Sequence, residues 1–309
     1  MKKFLKKNNK FLRGVIIGPS GIGHVHLREF ISNGINNIGI LGKKFNKKRE
    51  IYLIIKNFKI IKIQNLKKIN LIKNFRPQVI SICSPFNKHL EHLIELKKYC
   101  KNIIIEKPFF WSKNKSNYNY AKKLLNDQSC ILLINFPMIS LANQLLKKEK
   151  ISHVENFRFN YFTRGKKSYD DIAIDLLPHA ISFFLIINKQ KLKNFKILSV
   201  KKSVSEWRCN VILNNSNCKF LFKQDKNRKE SLLTFKLNKD FYIRKQEKIN
   251  YEYLTTLIKN YRKIINIKNP MTEYIKKMLN NFQNYSTVKN NNIMTLDTMK
   301  LTEELINFK

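Results

Sequence analysis

Three kinds of feature are scarce in this 309-residue sequence. Cysteine occurs five times at irregular spacing, without a C-x-x-C pair, so we expect no metal site and a reduced, cytoplasmic setting. No apolar run approaches the roughly 18 residues that span a bilayer. The amino-terminal apolar run is short and passes directly into a glycine-rich turn, so we expect a soluble chain without a secretion signal.

Acidic residues are the third scarcity, with 21 Asp and Glu against 61 Lys and Arg and a net charge of +40. Such a charge raises nucleic acid or an acidic membrane as a partner. The basic residues are mostly lysine, however, and are spread throughout the chain together with abundant Asn, Ile, Phe and Tyr, a bias that AT-rich coding DNA produces. We expect neither partner, and a polyanion or a phosphorylated substrate remains the alternative.

The first half of the sequence alternates between short apolar runs and helical patterns. Strands are predicted at 12–17, 37–41, 52–55, 79–83 and 103–105, and helices at 22–33, near 66–74 and at 88–99. This alternation predicts an α/β domain with a doubly wound parallel sheet over residues 1–137.

The pattern changes after about residue 137. A helix is predicted near 141–148, followed by strands at 211–213, 219–222, 231–237 and 241–244, and by helices at 272–282 and 294–306. Residues 138–309 are therefore predicted to form an α+β domain with a large, mostly antiparallel open sheet. Packing of the terminal helices back onto the first domain is left open.

A glycine turn, Gly18-Pro19-Ser20-Gly21-Ile22-Gly23, lies between the first predicted strand and helix. In that position, backbone N–H groups and a helix N-terminus can bind a pyrophosphate. The expected cofactor-binding residues are Gly18, Ser20, Gly21, Ile22 and Gly23. Ser20 stands where the usual G-x-G-x-x-G pattern has glycine, and a plain tight turn is the alternative.

The second predicted strand ends in Gly42-Lys43-Lys44 instead of the carboxylate that binds the ribose of NAD. Lys43 could pair with the 2′-phosphate of NADP, because lysine binds phosphate as a point charge. We expect NADP, with NAD as the alternative.

Three further segments decide the family. Ser84-Pro85-Phe86-Asn87-Lys88-His89 follows a predicted strand, the run 103–105 ends in Glu106-Lys107-Pro108, and Asp175-Leu176-Leu177-Pro178-His179 forms a D-x-x-x-H motif. With the glycine turn, they resemble the Gfo/Idh/MocA oxidoreductases, typified by glucose-fructose oxidoreductase and inositol 2-dehydrogenase. The resemblance implies a Rossmann domain and a substrate-binding, dimerisation domain. It adds these cofactor-binding residues: Ser84, Pro85, Asn87, His89, Glu106 and Lys107.

The resemblance also implies roles in hydride transfer between nicotinamide and a secondary alcohol or ketone. His179 is the expected general acid/base, since an ordinary histidine pKa of about 6.5 permits proton exchange near neutral pH. Lys107 is expected to hold the substrate oxygen, and Asp175 to orient substrate or imidazole. Asp175 and His179 are four residues apart, on one face of a helix. Because proline is comfortable only in a first turn, Pro178 predicts a helix that begins near Asp175.

Several alternatives and departures stay open. The substrate is expected to be a sugar, sugar nucleotide or cyclitol, with an anionic derivative favoured by the positive field. A homodimer or homotetramer is expected from the resemblance. His24 and His26 are interpreted as structural or surface residues. The segment 168–173 replaces a glycine-rich lead with bulkier side chains. The rival functions are a non-catalytic NADP-binding regulator and a basic nucleic-acid-binding protein.

Overall fold

The computed structural model describes residues 12–42, 62–113, 116–249 and 252–308. The chain divides into two compact units. The first contains the chain up to Phe110 together with Lys122–Asn135 and Ile275–Asn292, and the second contains Trp111–Ala121, Phe136–Tyr274 and the chain from Ile293. Contiguous domains at 1–137 and 138–309 stay a prediction.

The first unit is built on a six-stranded sheet in which every neighbouring pair is parallel. The strands are β1 (Arg13–Ile17), β2 (Asn37–Leu41), β3 (Lys62–Leu66), β4 (Val79–Ile82), β5 (Asn102–Glu106) and β6 (Ile131–Asn135), in the order β3-β2-β1-β4-β5-β6. This is the Rossmann strand order, which places a ligand crevice beyond the carboxyl ends of β1 and β4. The predicted doubly wound parallel sheet is confirmed.

Short helices connect these strands, namely α1 (Ile22–Ser32), α2 (Leu71–Phe75) and α3 (His89–Leu96), the last preceded by a 3₁₀ turn at Phe86–Lys88. The helix predicted near 66–74 starts too early. Residues 62–66 pair with β2 instead, because parallel pairing at the sheet edge overrides the local helical pattern. The strand predicted at 52–55 lies outside the described residues.

The second unit is built on an eight-stranded sheet in the order β14-β13-β12-β11-β7-β10-β9-β8. The strands are β7 (Asn156–Arg164), β8 (Phe195–Lys202), β9 (Glu206–Leu213), β10 (Ser216–Asp225), β11 (Leu232–Leu237), β12 (Asp240–Ile249), β13 (Glu252–Lys259) and β14 (Lys263–Ile267). Only the β7–β10 pair is parallel, which confirms the predicted, mostly antiparallel sheet.

Five more helices complete the described chain: α4 (Asn117–Leu125), α5 (Pro137–Lys148), α6 (Asp170–Ile187), and the terminal pair α7 (Pro270–Asn281) and α8 (Tyr285–Asn307). Helix α6 packs on the inner face of the large sheet, where the ring centroids of Phe183 and Phe235 are 4.7 Å apart. No helix of the described chain is long and apolar enough to cross a membrane.

The predicted start of α6 is wrong. The helix begins at Asp170, five residues before Asp175, and Pro178 lies in its interior. An interior proline costs about 3 kcal/mol. Burying a single large apolar side chain contributes about 1.5–3 kcal/mol, and α6 buries many of them, including Phe183 and Phe184. Burial therefore outweighs the local preference of proline.

Candidate functional site

The glycine turn connects β1 to α1 at the carboxyl edge of the first sheet. Gly18 has φ of 78°, and a Cβ there would lie 2.9 Å from the carbonyl oxygen of Cys83 at the end of β4. A Cβ on Gly23 would overlap the carbonyl oxygen of Gly18. Glycine at these two positions is therefore required by close backbone packing within the turn.

Ser20 does not disturb this geometry. Ser20 has no positive φ and is exposed, so its backbone does not require glycine. Gly21, which caps α1, has φ of 55° and ψ of −113°, a conformation that favours glycine, and open space surrounds its Cβ position. The departure at position 20 is thus compatible with the same turn.

Backbone donors at this turn fit the phosphates of a dinucleotide. The N–H groups of Ser20, Gly21 and Ile22 have no acceptor within the described part of the chain, whereas the N–H of Gly23 donates to Ser20 O at 3.1 Å. Free N–H groups at a helix N-terminus bind anions. The residues present therefore fit the pyrophosphate of NAD(P). Lys43, the predicted contact to a 2′-phosphate, lies outside the described residues.

The loop after β4 begins at Ser84 and Pro85 and continues into the 3₁₀ turn that contains Asn87. The His89 ring is buried beneath this loop, with Nε2 2.7 Å from Ser84 O and Nδ1 2.9 Å from Pro108 O. Burial lowers the pKa of His89 despite these carbonyl neighbours. The ring thus links two loops of the first unit, and direct contact of Ser84, Pro85, Asn87 or His89 with a cofactor stays a prediction.

Glu106 lies at the end of β5, one residue before Lys107, and its carboxylate is buried. Its Oε1 accepts hydrogen bonds from His26 Nε2 at 2.6 Å and from Asn135 Nδ2 at 2.5 Å. The other ring nitrogen of His26 lies 2.7 Å from Ser81 Oγ. Glu106 therefore has hydrogen-bond partners within the first unit. Its predicted contact with the cofactor stays a prediction.

The pair is an imidazolium and a carboxylate. Burial lowers the pKa of His26, but the Cys83 side chain and the Glu106 carboxylate outweigh burial and raise it to about 10. Burial raises the pKa of Glu106, but the hydrogen bond and charge of His26 outweigh that effect and hold it below its usual range. Both ring nitrogens of His26 then carry hydrogens, so one donates to Glu106 and the other to Ser81.

Sequence reasoning missed this network. His26 is fully buried, which rules out a surface role. Its position three residues after Gly23 was the available signal, but nothing local links it to Glu106, 80 residues away. Asn135, at the end of β6, carries no motif. Lys107 follows Glu106 in the first unit and is partly exposed, and its peptide bond to Pro108 is cis.

Asp175 and His179 lie one turn apart on α6, in the second unit. The Oδ2 atom of Asp175 is 2.9 Å from Lys167 Nζ and accepts a hydrogen bond of 3.2 Å from Gln224 Nε2. Gln224 Oε1 in turn accepts the backbone N–H of Lys167 at 3.1 Å. The carboxylate is therefore held from two directions.

His179 is buried, and its ring packs edge to face against Tyr161 on β7, with centroids 5.6 Å apart. The Arg244 guanidinium also lies near this tyrosine, 5.2 Å from its ring centroid. These three side chains form a connected cluster on the inner face of the large sheet. Tyr161 and Arg244 were not predicted as site residues, because no motif marks either of them.

A cleft of about 720 Å³ also opens in the second unit at the start of α6. Its lining includes Trp111, Tyr169, Asp170 and Glu303, but neither Asp175 nor His179. Part of the bulky segment 168–173 therefore lines a cleft that lies apart from the D-x-x-x-H pair. Within the described ranges, no group of three or more His, Cys, Asp or Glu side chains could hold a metal ion.

Comparison with known proteins agrees with this geometry. A profile described as "Oxidoreductase family, NAD-binding Rossmann fold" matches residues 12–136, the segment that carries the glycine turn and Glu106-Lys107-Pro108. Residues 12–136 thus match the family model of the Gfo/Idh/MocA oxidoreductases. None of the curated proteins matches its sequence significantly.

Solved structures share the fold of this protein over nearly the whole chain. UDP-N-acetylglucosamine 3-dehydrogenase from Acidithiobacillus ferrooxidans is 12% identical, with a TM-score of 0.65, covering 95% of this chain and 96% of its own. A 3-ketoreductase from Actinomadura kijaniata, in complex with NADP and TDP-benzene, is 10% identical, with a TM-score of 0.68 and coverage of 95% and 96%. A dehydrogenase from Clostridium difficile is 13% identical, with a TM-score of 0.64 and coverage of 96% and 99%.

Proposed function

We propose that this chain is a Gfo/Idh/MocA-type, NAD(P)-dependent dehydrogenase or reductase acting on a secondary alcohol or ketone of a sugar, sugar nucleotide or cyclitol. The observation that carries the proposal is the set of free N–H groups at Ser20, Gly21 and Ile22, beyond β1 in a Rossmann sheet. Two solved structures with the same fold support the substrate class, since one is a UDP-N-acetylglucosamine 3-dehydrogenase and another a 3-ketoreductase bound to NADP.

The nicotinamide supplies hydride transfer, and the chain supplies proton transfer and orientation. We assign the proton exchange at the substrate oxygen to His179, and the holding of that oxygen to Lys107. Asp175 orients the substrate or the imidazole, which agrees with its ion pair to Lys167 and its hydrogen bond from Gln224. The His26–Glu106 pair keeps the strand end before Lys107 in place.

NADP is the proposed cofactor, with NAD as the alternative, because lysines follow Gly42 in place of an acidic residue. Fluorescence titration with NADPH and NADH tests this choice. We expect tighter binding of NADPH and a selective loss of that preference in Lys43→Ala. Tighter binding of NADH, unchanged by Lys43→Ala, would overturn the assignment of NADP.

A cofactor-loaded screen of sugars, sugar nucleotides and cyclitols tests the reaction. Oxidation or reduction of at least one compound is expected, with large losses of turnover in Lys107→Met and His179→Ala. Cofactor binding without turnover of any compound would favour the non-catalytic regulator. Tight binding of RNA that weakens steeply with salt would instead favour a nucleic-acid-binding protein.

The proposal also covers the cellular location and the oligomeric state of the protein. All five cysteines are free thiols, which supports a reduced, cytoplasmic location. We propose a homodimer or homotetramer built on the open face of the large sheet, to be measured by light scattering. A monomer at micromolar concentration would remove this part of the proposal and leave the proposed reaction intact.

A further inference from the structure

Arg244 is a buried cation without an acidic partner in the described part of the chain. It lies on β12 with its side chain on the inner face of the large sheet, and only 6% of its surface is exposed. Its NH2 group donates to Tyr161 Oη at 3.3 Å and to Ser231 Oγ at 3.5 Å, both long for hydrogen bonds. Its Nε–H has no acceptor among the residues that the structure describes.

This arrangement of a buried guanidinium raises the free energy of the folded protein. The guanidinium cannot lose its proton in a protein, and burial of an unpaired charge costs several kcal/mol. Two neutral hydroxyl groups and one aromatic face compensate only in part. A bound anion would remove most of this penalty, because charge-assisted bonds to a guanidinium are about twice as strong as neutral ones.

Glu149, another charged residue of the second unit, shows how a buried charge is usually stabilised by partners of opposite charge. The carboxylate of Glu149 is almost as buried, and it accepts hydrogen bonds from Lys259 and Lys263 at 3.0 Å and 2.5 Å. In this lysine-rich chain, a buried acid thus has cations beside it. Arg244 is surrounded instead by the hydroxyls of Tyr161 and Ser231, which can themselves donate hydrogen bonds to an anion.

The position of Arg244 connects it to the proposed reaction. Tyr161 contacts both side chains, since its ring centroid lies 5.2 Å from the Arg244 guanidinium and 5.6 Å from the His179 ring. The sheet fixes the first contact, because Leu233 pairs with Arg244 on one side and with Tyr161 on the other. An anion on Arg244 would therefore lie in the same side-chain cluster as the histidine to which we assign the proton exchange.

We propose that Arg244 binds an oxyanion of the substrate, a carboxylate or a phosphate, and thereby selects an anionic sugar derivative. The inference rests on the proposed function for its link to catalysis, and the binding of the oxyanion itself is measured without turnover. The planar fork of the guanidinium, with Nε–H free, matches both anions in a bidentate geometry. Ser231 and the Tyr161 hydroxyl complete the donor set.

Inorganic phosphate and acetate are the probes, and the side-chain Nε–H resonance of Arg244 is the readout. The resonance is assigned by its absence from Arg244→Lys, and Arg262 is the internal control, since it lies exposed in the turn between β13 and β14. We expect a saturable shift of the Arg244 signal at moderate salt, with no saturable shift for Arg262. The two anions tell a phosphate site from a carboxylate site.

Variants test the consequence for the substrate. With a substrate found in the screen, Arg244→Met is expected to raise KM at least about 30-fold, and Arg244→Lys by less, because lysine keeps the charge but not the fork. Arg262→Met should stay within about twofold. An unchanged thermal unfolding transition of Arg244→Met shows that the second unit is folded, and a variant that fails to fold leaves the resonance titration of the native chain as the deciding measurement.

The outcomes separate this inference from the proposed function. An Arg244 resonance indifferent to both anions, or a neutral substrate turned over equally well by Arg244→Met, would overturn the oxyanion site. A chain that binds no NADPH or NADH refutes the proposed function, yet a saturable Arg244 shift would still support an anion site in it.

Discussion

The Nε2 atom of His26 lies 2.6 Å from Oε1 of Glu106, although 80 positions separate the two residues in the sequence. This buried ion pair joins α1, which begins at the glycine turn, to the end of β5, which precedes Lys107. The same contact thus links two of the three segments that carry the family motifs of the first unit, the glycine turn and Glu106-Lys107-Pro108. Asn135 Nδ2 donates to the same carboxylate oxygen and extends the network to β6.

His26→Gln should destabilise the protein by about 3 kcal/mol near neutral pH, since it leaves Glu106 buried without its counter-ion. The raised pKa of His26 means that its contribution is complete below its unfolded value of about 6.5 and is lost as pH rises through about 10. The difference in unfolding free energy between wild type and His26→Gln should therefore shrink with rising pH. Urea unfolding at a series of pH values measures it.

Glu106→Gln provides the matched control for that experiment. The low pKa of Glu106 means that its contribution is present above its ordinary value and is lost as pH falls through the folded value. A double-mutant cycle with His26→Gln should yield a coupling free energy of about 1 kcal/mol or more. Coupling near zero would show that the two side chains contribute independently.

His89 should make the stability of the protein sensitive to acid, whereas the contribution of His26 is lost at high pH. Burial lowers its pKa, so the unfolded chain binds a proton more readily, and stability falls as pH drops below about 6.5. Replacement by Gln removes this acid sensitivity while costing about 1–3 kcal/mol at neutral pH through lost contacts with Ser84 and Pro108. Thermal unfolding of both proteins near pH 5.5 and 7.5 measures the change. A wild type no more acid-sensitive than His89→Gln would contradict the lowered pKa of His89.

The sequence predicted those features that depend on local patterns. The turn from Gly18 to Gly23 and the helical spacing of Asp175 and His179 are encoded within a few residues, and each occurs in the expected element. Contacts between distant residues carry no such pattern. Arg244 meets Tyr161 across 83 positions only because Leu233 lies between them in the sheet register. Such pairings are set by the packing of the whole unit.

The glycine turn gives a contrast between two positions. Gly23→Ala should abolish NADPH binding and destabilise the first unit, because the new Cβ overlaps the backbone carbonyl of Gly18. Ser20→Gly should leave the dissociation constant for NADPH within about threefold, corresponding to less than about 0.7 kcal/mol, since Ser20 is exposed and has an ordinary φ. Fluorescence titration measures both. A large gain in affinity on Ser20→Gly would show that the serine hinders the phosphates.

A substitution at Gly165 can release the Asp175 carboxylate from one of its partners while Asp175 itself is retained. A Cβ at position 165 would overlap the amide oxygen of Gln224, the far end of a flexible side chain, so Gly165→Ala should shift that amide away from Asp175. The backbone of Gly165 has no positive φ, and stability should change by less than about 1 kcal/mol.

Turnover then reports what the position of Asp175 contributes. We expect kcat to fall about tenfold in Gly165→Ala, because the carboxylate keeps Lys167 but loses its second anchor. Gln224→Leu, which removes the amide directly, should show the same loss with the same KM, while Asp175→Asn should lose more. If Gly165→Ala and Gln224→Leu both retain wild-type kcat, the orientation of Asp175 does not limit the reaction, and its charge alone would account for any effect of Asp175→Asn.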